Sequence, residues 1–220
     1  MSKENYKIAL DVMGGDFAPI NEIEGAIKAS ENIQRNIELE ITFVGKEKKI
    51  ITALKQFDTT HLNYNIINAN DVVTMSDDPT TAFKKKKDSS LYKGVELHAN
   101  GYVDAFVSAG NTGAMLSTST LLLGRLKGVS RPTIASFFPT ETSTPALVLD
   151  VGANIVCKPK FLYEFAVMGA LYATHILGLE NPKVGLLNIG EEESKGNPIV
   201  HEAYELLKNS NLNFIGNVEG

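Results

Sequence analysis

The sequence predicts an α/β protein built on a mainly parallel, doubly wound sheet with helices on both faces. Two observations carry this prediction. Short apolar runs alternate with longer stretches of helical spacing, and the apolar runs are continuous, as strands buried on both faces require. In chain order, Tyr6 to Val12, Glu38 to Val44, Leu62 to Ile67, Val103 to Ser108, Thr133 to Phe138, Ala146 to Val151, Val184 to Ile189 and Asn213 to Ile215 read as strands. Each is short and rich in Val, Ile, Leu or Phe. Between them, Asn21 to Gln34, Lys46 to Phe57, Leu91 to Asn100, Thr112 to Leu126, Lys160 to Leu177 and Pro198 to Lys208 are longer and periodic, and read as helices.

Composition narrows the class of protein. The 220 residues are 43% hydrophobic and 21% charged, which disfavours a disordered, fibrous or disulfide-scaffold chain. A net charge of −5 disfavours general nucleic-acid binding. The single cysteine, Cys157, excludes an intrachain disulfide and a zinc site on paired cysteines. With no room for a signal peptide before the first strand, a cytoplasmic compartment is expected. The longest uncharged run, Ala105 to Gly124, holds Ser108, Gly110, Asn111, Thr112 and Gly113, so it is not read as a membrane span. No internal repeat or linker marks a boundary, and the chain stops just after a strand whose covering helix has not begun. The expectation is one α/β catalytic unit over 1–220, cut short at its C-terminus.

In a parallel sheet, ligands bind where loops leave the carboxyl ends of strands. Four such loops stand out. In Asp11-Val12-Met13-Gly14-Gly15-Asp16, adjacent glycines allow a ligand close to the backbone, and Asp11 and Asp16 can accept hydrogen bonds. The bland alternative is a tight turn with an Asp capping the next helix. In Ser108-Ala109-Gly110-Asn111-Thr112-Gly113-Ala114, helix-start amides and the Thr112 hydroxyl suit a phosphate, with close helix packing as the alternative. In Leu149-Asp150-Val151-Gly152-Ala153-Asn154, Asp150 and Asn154 either orient a substrate or satisfy turn amides, and spacing alone favours the turn. The fourth, Gly190-Glu191-Glu192-Glu193-Ser194-Lys195-Gly196, precedes Asn197-Pro198, an N-cap with proline at the first helical position. An ammonium at Lys195 can neutralise a phosphate or a developing oxyanion, or it is a solvated surface charge.

Other chemistry is poorly supported. There is no G-x-G-x-x-G, no Walker G-x-x-x-x-G-K-[ST], no H-E-x-x-H and no G-x-S-x-G. His61, His98, His175 and His201 are scattered, with His201 retained for its place just after the fourth loop. Cys157 lacks a recognisable base, so a packed thiol is expected.

Taken together, IALDVMGGDFAP from Ile8, SAGNTGA from Ser108, RPTIA from Arg131, LVLDVGAN from Leu147, VGLLNIGEEESKGN from Val184 and NFIGNVEG from Asn213 resemble the PlsX-type bacterial phosphate acyltransferases across essentially the whole chain. The resemblance implies a fold like that of isocitrate and isopropylmalate dehydrogenases and of phosphotransacetylases. It implies transfer of a long acyl chain from acyl carrier protein to inorganic phosphate, giving acyl phosphate for phospholipid synthesis. It further implies a homodimer and peripheral membrane contact in the full-length parent, and the chemistry of such a transfer demands no metal or organic cofactor. Gly190, Glu192, Lys195 and Gly196 match the family's G-x-E-x-x-K-G-type loop, whose lysine is taken as catalytic. Asp11, Gly14, Gly15, Asp16, Gly110, Asn111, Thr112, Gly113, Asp150 and Asn154 are the expected phosphate and substrate contacts. A further family motif, D-G-F-x-G-N, is absent from these residues.

Acyl carrier protein is acidic, so docking on an acidic chain requires a local positive patch. Lys84, Lys85, Lys86 and Lys87 are the densest cluster, and Arg125, Lys127 and Arg131 form a second; a solvated face is the alternative. Two competing functions stay open. One is a nucleotide-dependent dehydrogenase of related fold, and the other a non-catalytic fragment that binds phosphate or the carrier.

Overall fold

The computed structural model describes residues 4–34, 36–141 and 144–220. Where the sequence suggests one unit, the chain forms two compact ones, Met1–Gly124 and Arg125–Gly220.

The first unit holds β1 (Glu4–Asp11), α1 (Ile20–Asn32), β2 (Ile37–Gly45), α2 (Glu47–Leu54), β3 (Asn63–Asn68), α3 (Pro79–Lys85), α4 (Ser90–Ala99), β4 (Ala105–Ser108) and α5 (Thr112–Leu123). Its four strands pair in the order β3-β2-β1-β4, all parallel. Alternation along the strands sends neighbours to opposite faces. Leu10, Ile41, Phe43 and Ile66 pack with Ile23 and Ala26 of α1 and with Ile50 and Ala53 of α2. Ala9, Val44 and Ile67 point the other way and meet Leu97 of α4 and Val103. Helices therefore cover both faces, as predicted.

The strand order also locates a crevice. From β1 the chain winds outward through β2 and β3, then returns to place β4 on β1's other side. That reversal is a topological switch point, and the crevice at the carboxyl ends of β1 and β4 is where open α/β sheets receive ligands. Asp11 and Ser108 are register partners at that edge.

The second unit holds β5 (Ala135–Phe138), β6 (Ala146–Leu149), α6 (Pro159–His175), β7 (Lys183–Asn188), α7 (Pro198–Lys208) and β8 (Asn213–Glu219). The β5 and β6 strands pair antiparallel, a departure from the parallel pattern. The short link 139–145 explains it, because a parallel return needs a crossover of about a dozen residues or more. The β7 and β8 strands are parallel, and Leu186, Ala203 and Leu207 pack with Leu162, Tyr163 and Phe214. Tyr204 meets Phe214 edge to face at 5.1 Å. Among the described residues no helix is long and apolar enough to cross a membrane.

Candidate functional site

At the switch point, a buried carboxylate ties two strand ends together. Asp11 is 1% exposed; its Oδ1 accepts the Met13 amide at 2.9 Å, and its Oδ2 accepts the Ser108 hydroxyl at 2.8 Å. The Ser108 Oγ in turn accepts the Gly110 amide at 3.1 Å. A Cβ on Gly14 would lie 2.6 Å from Asp11 Oδ2 and 2.9 Å from Gly110 Cα, so the two loops touch through their glycines. Gly15 admits the Glu22 carboxylate of α1 in the same way. Asp16 is exposed. Neither aspartate caps α1, whose N-cap is Pro19 without a side-chain bond.

Asn111 departs from its expected role. Its Oδ1 caps α5 by accepting the Ala114 amide at 2.9 Å. Its Nδ2 faces the carbonyls of Thr74, Met75 and Asp77 at 3.1, 3.3 and 3.1 Å. Both ends of this buried side chain are thus engaged, and it anchors the 74–77 loop instead of a ligand. Gly113 packs against Pro79. Thr112 is exposed at the first position of α5, with the helix-start amides beside it, the geometry that accepts an anion.

In the second unit, Asp150 is a turn keystone. Its Oδ1 accepts Thr133 Oγ1 at 3.1 Å and the amides of Ile134 and Ala153 at 2.9 and 3.1 Å. Its Oδ2 accepts the Asn154 amide at 2.6 Å and Asn154 Nδ2 at 3.1 Å. Burial pushes the carboxyl up, but these donors outweigh it and hold it below the ordinary carboxylate value. Asn154 Nδ2 also donates to the Pro132 carbonyl at 2.9 Å. Five donors engage Asp150, two from Thr133 and Ile134 and three from Ala153 and Asn154, which is the turn arrangement that spacing alone favours. Burial and the nearby Asp150 raise the Cys157 thiol, which keeps it protonated and a poor nucleophile.

The Lys195 loop is the opposite case. Asn197 caps α7 by accepting the Val200 amide at 3.1 Å, with Pro198 at the first helical position as predicted. The Asn188 amide group donates to the Lys195 carbonyl at 2.9 Å, and the Lys195 amide donates to the Glu192 carbonyl at 3.0 Å. Gly196, at φ +101°, closes the turn where a Cβ would strike Asn188 and Val200. Tyr204 donates to Glu193 at 2.6 Å and, with Lys208, holds that carboxyl below its ordinary value. The backbone is pinned, yet the Lys195 side chain is exposed and its ammonium has no partner among the described residues. His201 lies in the first turn of α7, partly buried.

The lysine cluster divides. Lys84 and Lys85 close α3 and are exposed, as is Lys87. Lys86 instead turns inward to the Val72 carbonyl at 2.8 Å and to Asp77 at 2.6 Å, and is therefore withdrawn from a docking face. Sequence reasoning also missed Ser108 as the link between two loops, and Asn188 and Asn217 as supports of the fourth. An asparagine at the end of a strand beside a glycine-rich loop was the available signal.

Solved structures similar in fold to this chain include phosphotransacetylases. The chain matches the Streptococcus pyogenes enzyme with a TM-score of 0.68 at 20% identity, covering 98% of this chain and 68% of that one. EutD phosphotransacetylase from Staphylococcus aureus matches at 0.63 and 21%, covering 100% and 69%. Residues 6–220 match the model of the fatty acid synthesis protein family, and the chain belongs to that family. It is 48% identical over 215 residues to a phosphate acyltransferase of Dictyoglomus turgidum and 49% over 214 residues to one of Fusobacterium nucleatum. Each alignment covers 97% of this chain but only 63% and 64% of those relatives.

Proposed function

We propose that the chain carries phosphate acyltransferase chemistry, moving a long-chain fatty acyl group from the thioester of acyl carrier protein to inorganic phosphate. A phosphate oxygen attacks the thioester carbonyl, a C–O bond forms, and the C–S bond breaks. The product is acyl phosphate, and the proton of hydrogen phosphate ends on the released thiol. Phosphate is itself the nucleophile, so no enzymic serine or cysteine is required, in keeping with the protonated Cys157. What the reaction does need is a positive group to stabilise the dianion and the carbonyl oxyanion.

The observation that carries this reading is Lys195, whose ammonium has no partner among the described residues and which sits on a hydrogen-bonded loop following β7. The relatives' name, phosphate acyltransferase, supports the coarser reaction of this reading, and the family match gives the dehydrogenase alternative no support. Thr112 and the first amides of α5 are a second candidate anion contact, to be tested separately as Thr112→Val. A homodimer in the cytoplasm, with peripheral membrane contact, belongs to the same proposal, and nothing in the chemistry requires a metal or cofactor.

Lys195→Ala should slow phosphate-dependent thioester loss by roughly 100- to 1,000-fold with an unchanged circular dichroism spectrum. The assay is run on the 220-residue chain and on the same chain joined to the remaining third of the Dictyoglomus turgidum relative. Unchanged turnover in the variant removes Lys195 from the mechanism. Binding of phosphate and carrier without turnover in both forms would favour the non-catalytic alternative.

A further inference from the structure

The Lys195 loop rests on a residue from a different strand. Asn217 of β8 is 7% exposed, and its Nδ2 donates to the Glu192 carbonyl at 2.9 Å. That same carbonyl accepts the Lys195 amide at 3.0 Å. One backbone oxygen therefore collects both the turn that presents Lys195 and the side chain beneath it.

A break in strand alternation puts Asn217 there. Phe214 lies in the core and Ile215 is half exposed, so a regular strand would turn Gly216 inward and Asn217 out to solvent. Instead, pairing shifts from Phe214 opposite Val184 to Asn217 opposite Leu186. Two residues, Ile215 and Gly216, stand against Gly185 alone, which is a bulge. Gly216 adopts φ +96°, a conformation that favours glycine. The phase of the strand reverses, and Asn217 is buried. Bulges of this kind re-aim side chains next to functional loops. Burying a carboxamide for a single hydrogen bond is costly, since its Oδ1 is left without a partner among the described residues. Packing alone would favour an apolar side chain at this position.

We propose that Asn217 is a positioning residue, which fixes the Glu192–Lys195 turn and thereby the reach of the Lys195 ammonium. This rests on the role of Lys195 given above. A displaced ammonium costs rate because stabilisation of a developing charge depends on geometry set before the reaction.

The test uses Asn217→Asp, which keeps the shape but loses the donor, and Asn217→Ala, which loses both. Backbone hydrogen exchange on the 220-residue chain should show faster exchange at the Lys195 amide in both variants, with β7 and α7 still protected. Turnover should fall about 10- to 100-fold through kcat. In a Lys195→Ala background, the Asn217 substitutions should cost less than about twofold further, the non-additivity expected of residues acting as one unit. Unchanged exchange at Lys195, or full additivity with Lys195→Ala, overturns the proposal. If Lys195→Ala leaves turnover untouched while Asn217 variants free the loop, the catalytic reading of Lys195 fails and the support of the loop by Asn217 stands. Faster exchange throughout β7 and α7 would mark Asn217 as a general packing residue and also overturn the proposal.

Discussion

Lys86 stands in a run of four lysines, yet the fold keeps it for itself. Its ammonium meets Asp77 Oδ2 at 2.6 Å, and the same oxygen accepts the Thr74 amide at 2.6 Å and the Thr74 hydroxyl at 2.9 Å. The bond from Lys86, then those from Thr74, hold the Asp77 carboxyl at about 2, against an ordinary 3.8. Since the folded value is depressed, the stability Asp77 contributes is complete above about pH 4 and is lost as pH falls through about 2. Denaturant midpoints between pH 5 and pH 2.5 should therefore drop more steeply in the native chain than in Lys86→Met. Parallel slopes would mean that the pair adds nothing. Asn111 permits a second test, because it acts at both ends. Asn111→Asp keeps an acceptor for the helix start, and a negative charge there is favourable. It gives up the donor to three carbonyls of the 74–77 loop. Chemical denaturation should show a loss of about 1–3 kcal/mol despite the retained cap. No loss would show that the loop does not depend on Asn111.

Among the elements, those declared by apolar periodicity were legible and those declared by polar bonds were not. Each of the eight predicted strands corresponds to an observed one, and the N-cap and proline of α7 were read from Asn197-Pro198. The α3 helix has too few apolar residues to show a period, though Asp78 before Pro79 was a start signal, and Asp78 does accept the Thr81 amide at 2.8 Å. The predicted Asn213 to Ile215 strand extends to Glu219 because a bulge carries it past Gly216. At the candidate site, spacing located the loops but not the direction of the side chains. Asn111 sits in a loop that reads as an anion site, yet its side chain is engaged by neighbours up to 37 residues away, whereas Asp150 takes the turn role that its spacing favoured. The expectation that an acidic carrier docks on this lysine run can be tested along the same division, between the exposed Lys84 and Lys85 and the paired Lys86. Lys84→Glu with Lys85→Glu should raise the KM for acyl carrier protein, leave that for phosphate nearly unchanged, and lose most of its effect in added salt. An equal rise for both substrates would place these lysines elsewhere in the function. Lys86→Glu should act differently, destabilising the chain by setting a second carboxylate against Asp77.

The whole molecule divides at Gly124, and the two units differ in what they bury. Three apolar clusters lie entirely within the first, including fully buried Phe43, Ile23, Ile50 and Leu91, and its four parallel strands are covered on both faces. Among the described residues the second has one cluster, around Leu186, Ala203 and Leu207, and its strands pair two by two. It also leaves Ile155, Val156, Ile189 and Leu187 largely exposed. Two-stranded sheets are marginal alone, whereas a covered four-stranded sheet is an ordinary domain core. A fragment of residues 1–124 should therefore fold by itself, with a cooperative denaturant transition and dispersed amide resonances. A fragment of residues 125–220 should retain helical circular dichroism but bind an apolar dye and melt without a sharp transition, because fixed packing is lost before backbone hydrogen bonding. In the intact chain, amide exchange would then separate into two classes, with β1 and β2 slower than β7 and β8. A single class of exchange, together with an unfolded 1–124 fragment, would show that the two units stand or fall together.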